Sequence, residues 1–181
     1  PLVEELSKQY IVEAVDPSNP IDLNQYSVLL AFQPSSLGPV EFLNFVNAVR
    51  QGQPTAIFED PLPIFLNYLT GTNESKRPTP TCPIPPLKGE INLLWSVLGV
   101  RFEGGSVLWK NYNPYPKLAT LCEEYLFVDA RPIQYQVDEQ AAPKDLSNAT
   151  FDTFNKDDLS VASLERLLFP FPGAISQLEN S

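Results

Sequence analysis

The sequence contains no histidine, and this absence excludes much of the common chemistry of active sites. Without histidine, no Ser/His or Cys/His nucleophile can be assembled, and the commonest general base and zinc ligand is missing. Only two cysteines are present, so we expect no four-ligand zinc site, and no other metal or cofactor. Cys82 and Cys122 could form one disulfide or stay as two thiols, and the sequence leaves both open. No phosphate-binding loop is present, because Gln33–Gly38 has a single glycine and no lysine.

Positive charge is also scarce, with 12 Lys and Arg against 22 Asp and Glu and a net charge of -10. This balance argues against nucleic acid as a partner and against electrostatic docking on anionic lipid. No apolar run approaches the length of a membrane span. The lack of methionine and the start at Pro1 indicate a fragment, whose membrane segments, if any, lie outside these residues.

The composition that is present is globular: 181 residues, 43% hydrophobic and 19% charged. This length predicts a single domain over residues 1–181 with a sizeable core. Nineteen prolines against eight glycines indicate long, stiff loops. Residues 70–87, the Pro-rich loop, cannot form a regular element, so we predict an exposed segment that is either a lid or a plain connection.

A strand–helix–strand pattern between Tyr26 and Pro61 organises the chain. Val28–Phe32 is a continuous apolar run, typical of a strand buried on both faces, and Pro39 suits the first position of the helix that follows. Thr55–Phe58 is a second apolar run, so the pattern predicts a βαβ unit. We therefore predict a three-layer α/β domain with a mostly parallel sheet, helices on both faces and this unit at its centre.

Three further elements follow from the pattern. Apolar spacing predicts an amphipathic helix from Leu87 to Leu98, ended by Gly99. A strand is predicted at Tyr125–Asp129 and a short helix at Ser163–Leu168.

Polar residues directly follow the predicted parallel strands, where open α/β sheets bind ligands. Glu59 and Asp60 follow one strand, and Asp129 ends another. The candidate binding residues at this edge are Gln33, Ser35, Ser36, Glu59, Asp60 and Asp129. The plainer interpretation is structural, because Asp-Pro opens turns and serine caps helices.

Aromatic residues with amide neighbours cluster in the loop around Trp109 and Tyr112, with Tyr115 close by. Such a cluster can hold a sugar ring or a peptide by stacking and hydrogen bonding. Alternatively, these rings pin the loop onto the sheet.

The chain resembles the extracytoplasmic domain of GldG-type ABC transport auxiliary proteins. The segments that carry the resemblance are Tyr26–Leu37, Glu41–Leu43, Ile57–Pro61, Leu94–Phe102, Val107–Trp109, Tyr125–Asp129 and Leu168–Ile175. The resemblance implies a flavodoxin-like fold, similar to class I glutamine amidotransferases but without their cysteine and histidine. It also implies a bacterial, gliding-motility-like system, a periplasmic location, and anchoring by helices outside this chain. The implied partners are the membrane and ATPase subunits of the transporter, and a carbohydrate ligand is open.

Two functions follow as hypotheses. The first is a non-catalytic accessory domain that binds protein partners or a polymer. The alternative is a glycan hydrolase that uses paired carboxylates such as Glu59 and Asp129, which would have to face each other across a cleft.

Overall fold

The computed structural model describes residues 2–66, 68–103, 107–109, 113–115, 117, 121–130 and 154–178. In chain order the regular elements are α1 (Leu2–Leu6), β1 (Leu29–Phe32), a 3₁₀ turn (Pro34–Ser36), α2 (Pro39–Arg50), β2 (Thr55–Phe58), α3 (Ile91–Leu98), β3 (Val100–Glu103), β4 (Tyr125–Asp129), β5 (Arg166–Pro170) and β6 (Ala174–Gln177).

The chain divides into two compact units, residues 1–105 with 173–181, and residues 106–172. The first unit holds the parallel pair β1–β2 and the antiparallel pair β3–β6. The second holds the antiparallel pair β4–β5. Within the described residues the sheets are thus small and mixed, and the single-domain, three-layer, mostly parallel architecture stays a prediction.

The predicted βαβ unit is confirmed. β1 and β2 run parallel in a register that pairs Leu29 with Thr55 and Phe32 with Phe58. Between them, α2 begins with Gly38 as an extended N-cap and Pro39 in its first turn. The chain leaves α2 through Gly52, whose φ of 89° lies in the region that glycine adopts freely.

The helix predicted near Leu87 is present as α3, although it begins later, at Ile91. The Glu90 carboxylate caps it by accepting a hydrogen bond from the Asn92 N–H. Gly99 ends it in the left-handed conformation, with φ of 68°, as the sequence predicted. The strand at Tyr125–Asp129 is also confirmed as β4.

The helix predicted at Ser163–Leu168 is wrong. Residues from Arg166 onward form β5, which pairs with β4 along its full length. Leucines at this short spacing fit either a helix or a strand, and the available backbone partner decides between them.

The core of the first unit is formed by α2 and α3 under β1. Its buried residues are Leu29, Phe42, Phe45, Val46, Ala48, Ile91, Leu94 and Trp95. Ala31 and Ile57 pack against this cluster from the sheet. The Trp95 ring also lies 5.6 Å from the Phe102 ring, which joins β3 to the same core.

The other face of the β1–β2 pair is exposed, whereas the sequence predicted burial on both faces. Leu30, Phe32 and Phe58 alternate with the inward residues and are each about half exposed. The Phe32 and Phe58 rings stack at 4.9 Å with an angle of 16°. The apolar run was continuous because this outer face is apolar too, so its sequence does not reveal which face α2 covers.

We predict that Phe42→Ala lowers the free energy of unfolding by about 3–5 kcal/mol, because it empties a fully buried site. Leu43→Ala, on the adjacent exposed position of α2, should change it by less than about 1 kcal/mol. Urea unfolding followed by circular dichroism measures both. Equal losses in the two variants would contradict this core.

Candidate functional site

The carboxyl ends of β1 and β2 lie side by side, as the parallel register requires. Four of the predicted site residues meet there: Gln33 and Ser35 after β1, and Glu59 and Asp60 after β2. Two of them, Gln33 and Ser35, are buried. Their polar groups are therefore largely turned to the protein and not to solvent.

Gln33 uses its whole side-chain amide to bind backbone groups. Its Nε2 donates to the carbonyl oxygens of Asp60 and Thr70, at 3.0 and 3.1 Å, and its Oε1 accepts from the Asp60 N–H at 2.8 Å. Its backbone has φ of 49° and ψ of 50°, a left-handed conformation that is rare for a residue with a side chain. These bonds hold the ends of β1 and β2 and the start of the Pro-rich loop together.

The Glu59 carboxylate accepts three hydrogen bonds. Its Oε1 accepts from the Ser35 N–H at 2.7 Å, and its Oε2 accepts from the hydroxyls of Ser35 and Thr72, both at 2.9 Å. Burial raises the pKa of Glu59, while these donors and the charge of Lys88 act in the opposite direction. Glu59 is thus a half-buried acid that links the two strand ends to the Pro-rich loop.

Lys88 completes this network from the far end of the Pro-rich loop. Its Nζ donates to the carbonyl oxygens of Gly71, Thr72 and Glu74 at 2.9, 2.8 and 3.0 Å. Burial lowers the pKa of Lys88, and the nearby Glu59 charge partly offsets that shift. The sequence did not identify Lys88 or Thr72, because the contacts are long-range and a lysine bound to backbone carbonyls leaves no pattern in residue types.

The other two residues at this edge behave as turn residues. Asp60 is exposed, and its Oδ1 accepts from the Leu62 N–H at 2.9 Å, as expected of an Asp-Pro turn. The Ser36 N–H donates to the Gln33 carbonyl at 2.8 Å and so closes the 3₁₀ turn.

Asp129 does not end a parallel strand, which corrects the prediction. It lies in the second unit, on β4, directly opposite Arg166 of the antiparallel β5. The Asp129 carboxylate is buried and accepts from Arg166 Nη2 and Nε at 2.8 and 3.2 Å. This cross-strand ion pair lies within the second unit and indicates a structural role for Asp129.

The aromatic residues also belong to the second unit. Tyr115 packs edge-on against Phe127 at 5.7 Å, and the Arg166 guanidinium lies 5.2 Å from the centre of the Tyr115 ring. Trp109 is exposed, with 64% of its surface accessible. Tyr112 lies outside the described residues.

In the part of the chain that the structure describes, no group of three or more carboxylate or cysteine side chains could hold a metal ion. Cys82 and Cys122 are both free and exposed. Among the described helices, none is long and apolar enough to cross a membrane.

We predict that Glu59 makes the native state lose stability as pH rises above 4.5, its ordinary pKa. The native state keeps the Glu59 proton to a higher pH than the unfolded chain, so ionisation over this window favours unfolding. In urea unfolding between about pH 4.5 and 7, Glu59→Gln should therefore become more stable relative to the unsubstituted protein. Glu13→Gln, at an exposed position outside this network, is the control. Parallel stability curves for the unsubstituted protein and Glu59→Gln would contradict the assignment.

A sequence model of the family described as ABC-type uncharacterized transport system matches residues 1–181. No curated protein and no solved structure matches the chain. The match covers both compact units, including the strand ends that carry Gln33 and Glu59. The chain belongs to this family, as an auxiliary component of an ABC-type transport system.

Proposed function

We propose that the chain is a non-catalytic, extracytoplasmic accessory domain, related to GldG, that binds protein subunits of its ABC-type transport system. The observation that carries this proposal is that the polar side chains of the predicted site form hydrogen bonds within the protein. The side chains of Gln33 and Glu59 form hydrogen bonds with backbone and side-chain groups of the same unit. A buried polar network that is satisfied internally favours a structural role for this edge, and leaves the exposed surface for partners.

Family membership supports the choice of partner. An auxiliary component acts through contact with the membrane or ATPase subunits, and an extracytoplasmic domain reaches the membrane subunit directly. The gliding-motility connection and the periplasmic location rest on the resemblance of segments such as Gln33–Leu37 and Leu168–Ile175.

We predict that the full-length protein, purified from its native membranes in a mild detergent, brings the membrane and ATPase subunits of one ABC system with it. Because the contact is specific, mass spectrometry should find these subunits in a fixed ratio to the protein. An unrelated membrane protein carrying the same tag is the control. If the membrane and ATPase subunits are absent under detergent conditions that keep other ABC complexes intact, the proposal is contradicted.

A carbohydrate polymer is a second candidate ligand, favoured by the exposed Trp109 ring. On a glycan array, binding through this ring should be lost in Trp109→Ala. Tyr10→Ala removes an equally exposed aromatic ring of the first unit and should leave that binding intact. An array on which both variants bind as the unsubstituted protein does would exclude Trp109 as a sugar platform.

The glycan hydrolase alternative has one observation in its favour, the raised pKa of Glu59, which is a property of general acids. However, the Glu59 carboxylate already accepts three hydrogen bonds. The proposed second acid, Asp129, forms an ion pair with Arg166. A hydrolase also needs a second free carboxylate across a cleft. Hydrolysis of a glycan by the unsubstituted protein, abolished in Glu59→Gln, is the result that would revive this alternative.

A further inference from the structure

Hydrogen bonds join the two ends of the Pro-rich loop at its base. Lys88 Nζ binds the carbonyl oxygens of Gly71, Thr72 and Glu74, which brings the end of the loop back to its beginning. The Gly71 N–H also donates to the Glu74 carboxylate at 3.0 Å, and the Gly89 N–H donates to the Leu37 carbonyl at 2.9 Å. Residues 75–87, the loop tip, therefore project from a fixed base, as in an Ω-loop.

The loop tip is stiff as well as anchored. Five of its residues, Pro78, Pro80, Pro83, Pro85 and Pro86, are proline, which fixes φ. Thr79 and Cys82 exchange two backbone hydrogen bonds of 2.9 and 3.0 Å, so the tip contains its own tight turn. A segment that is ordered before it binds loses little conformational entropy on binding, which is the usual advantage of a preorganised binding loop.

The loop tip holds two large aliphatic side chains out to solvent. Ile84 and Leu87 are 79% and 76% exposed, and every residue from 77 to 87 is exposed. The described residues of the first unit leave these two side chains largely uncovered, although the loop around them is held at its base. Two large aliphatic side chains held out by a stiff loop can enter an apolar pocket on a partner, which removes their surface from water at little cost in conformational entropy.

The charge of the same segment opposes that of the chain. Residues 75–87 contain Lys76 and Arg77 and no aspartate or glutamate, whereas the whole chain has a net charge of -10. A basic, apolar segment on an acidic protein is complementary to an apolar groove with an acidic rim. This charge contrast indicates which kind of surface the loop tip fits.

We propose that the loop tip docks on a membrane subunit of the transport system, inserting Ile84 and Leu87 into an apolar groove that has an acidic rim. This inference rests on the proposed function and assigns the surface through which the domain performs it. Lys88 acts as the positioning residue, because its bonds to residues 71–74 hold the base closed. Because the loop tip carries positive charge, we expect its contact with an acidic rim to weaken as the salt concentration rises.

Insertion into lipid fits the loop tip less well. The tip has no tryptophan, tyrosine or phenylalanine, the residues that anchor segments at membrane interfaces.

The test compares full-length variants for recovery of the transport-system subunits from detergent-solubilised membranes. The double variant Ile84→Ser, Leu87→Ser should reduce recovery of the membrane subunit by roughly tenfold or more, as loss of two central anchors does. The matched control is Ile11→Ser with Leu159→Ser, which changes two residues that are at least as exposed. It should recover the subunit as the unsubstituted protein does. Limited proteolysis of both variants shows whether the fold outside the loop is intact.

Two further variants test the charge and the base. Lys76→Gln with Arg77→Gln should weaken recovery and remove most of its dependence on salt concentration. Lys88→Met removes the three bonds at the base, so proteolysis within residues 75–87 should become faster and recovery should fall while Ile84 and Leu87 remain.

The outcomes separate this inference from the proposed function. If the unsubstituted protein recovers the subunits and the Ile84→Ser, Leu87→Ser variant does so equally well, the loop assignment is wrong and the accessory function stands. If the unsubstituted protein recovers no subunit, the accessory function fails and the loop assignment fails with it. Binding to vesicles of phosphatidylcholine and phosphatidylserine that requires Ile84 and Leu87 would overturn the inference in favour of a lipid contact.

Discussion

The first unit depends on how the ends of its two parallel strands are closed. A two-stranded parallel pair has backbone groups at its carboxyl end that no further strand satisfies, and a buried group without a partner is costly. Gln33 solves this with one side chain, whose amide accepts from and donates to the chain after β2 and after the following turn. Its backbone is left-handed at this position, a conformation that is unfavourable for a residue with a side chain and that the surrounding bonds must hold.

The acid and the lysine of this network stabilise each other. Burial alone would favour neutral forms of both, raising the pKa of Glu59 and lowering that of Lys88. Each charge opposes the shift of the other. Both groups also bind the first residues of the Pro-rich loop, Glu59 through the Thr72 hydroxyl and Lys88 through the carbonyl oxygens of residues 71, 72 and 74. The two charges therefore act on the same short segment of the loop.

The sequence predicts the parts of this fold that rest on local rules. The βαβ unit follows from Val28–Phe32, the proline at position 39 and Thr55–Phe58, and the end of α3 follows from Gly99. Contacts between residues that are distant in sequence cannot be predicted in this way. The residues around Asp129 do not indicate that its strand pairs antiparallel with β5, and those around Lys88 do not indicate that it binds residues 71–74. The closeness of Gln33 and Glu59 was predictable from parallel pairing. Their hydrogen-bond partners were not, because these include Thr70 and Thr72 from the loop.

The negative charge of the chain affects whether the exposed sheet face with Phe32 and Phe58 leads to self-association. An apolar sheet face on a neutral protein invites association of like molecules. At neutral pH the charge of -10 makes two copies repel each other before these faces can meet. The isoelectric point of about 4.4 lies where that repulsion vanishes while the face stays apolar. The acidity of this domain thus works as colloidal protection, and acidification towards pH 4.4 removes it.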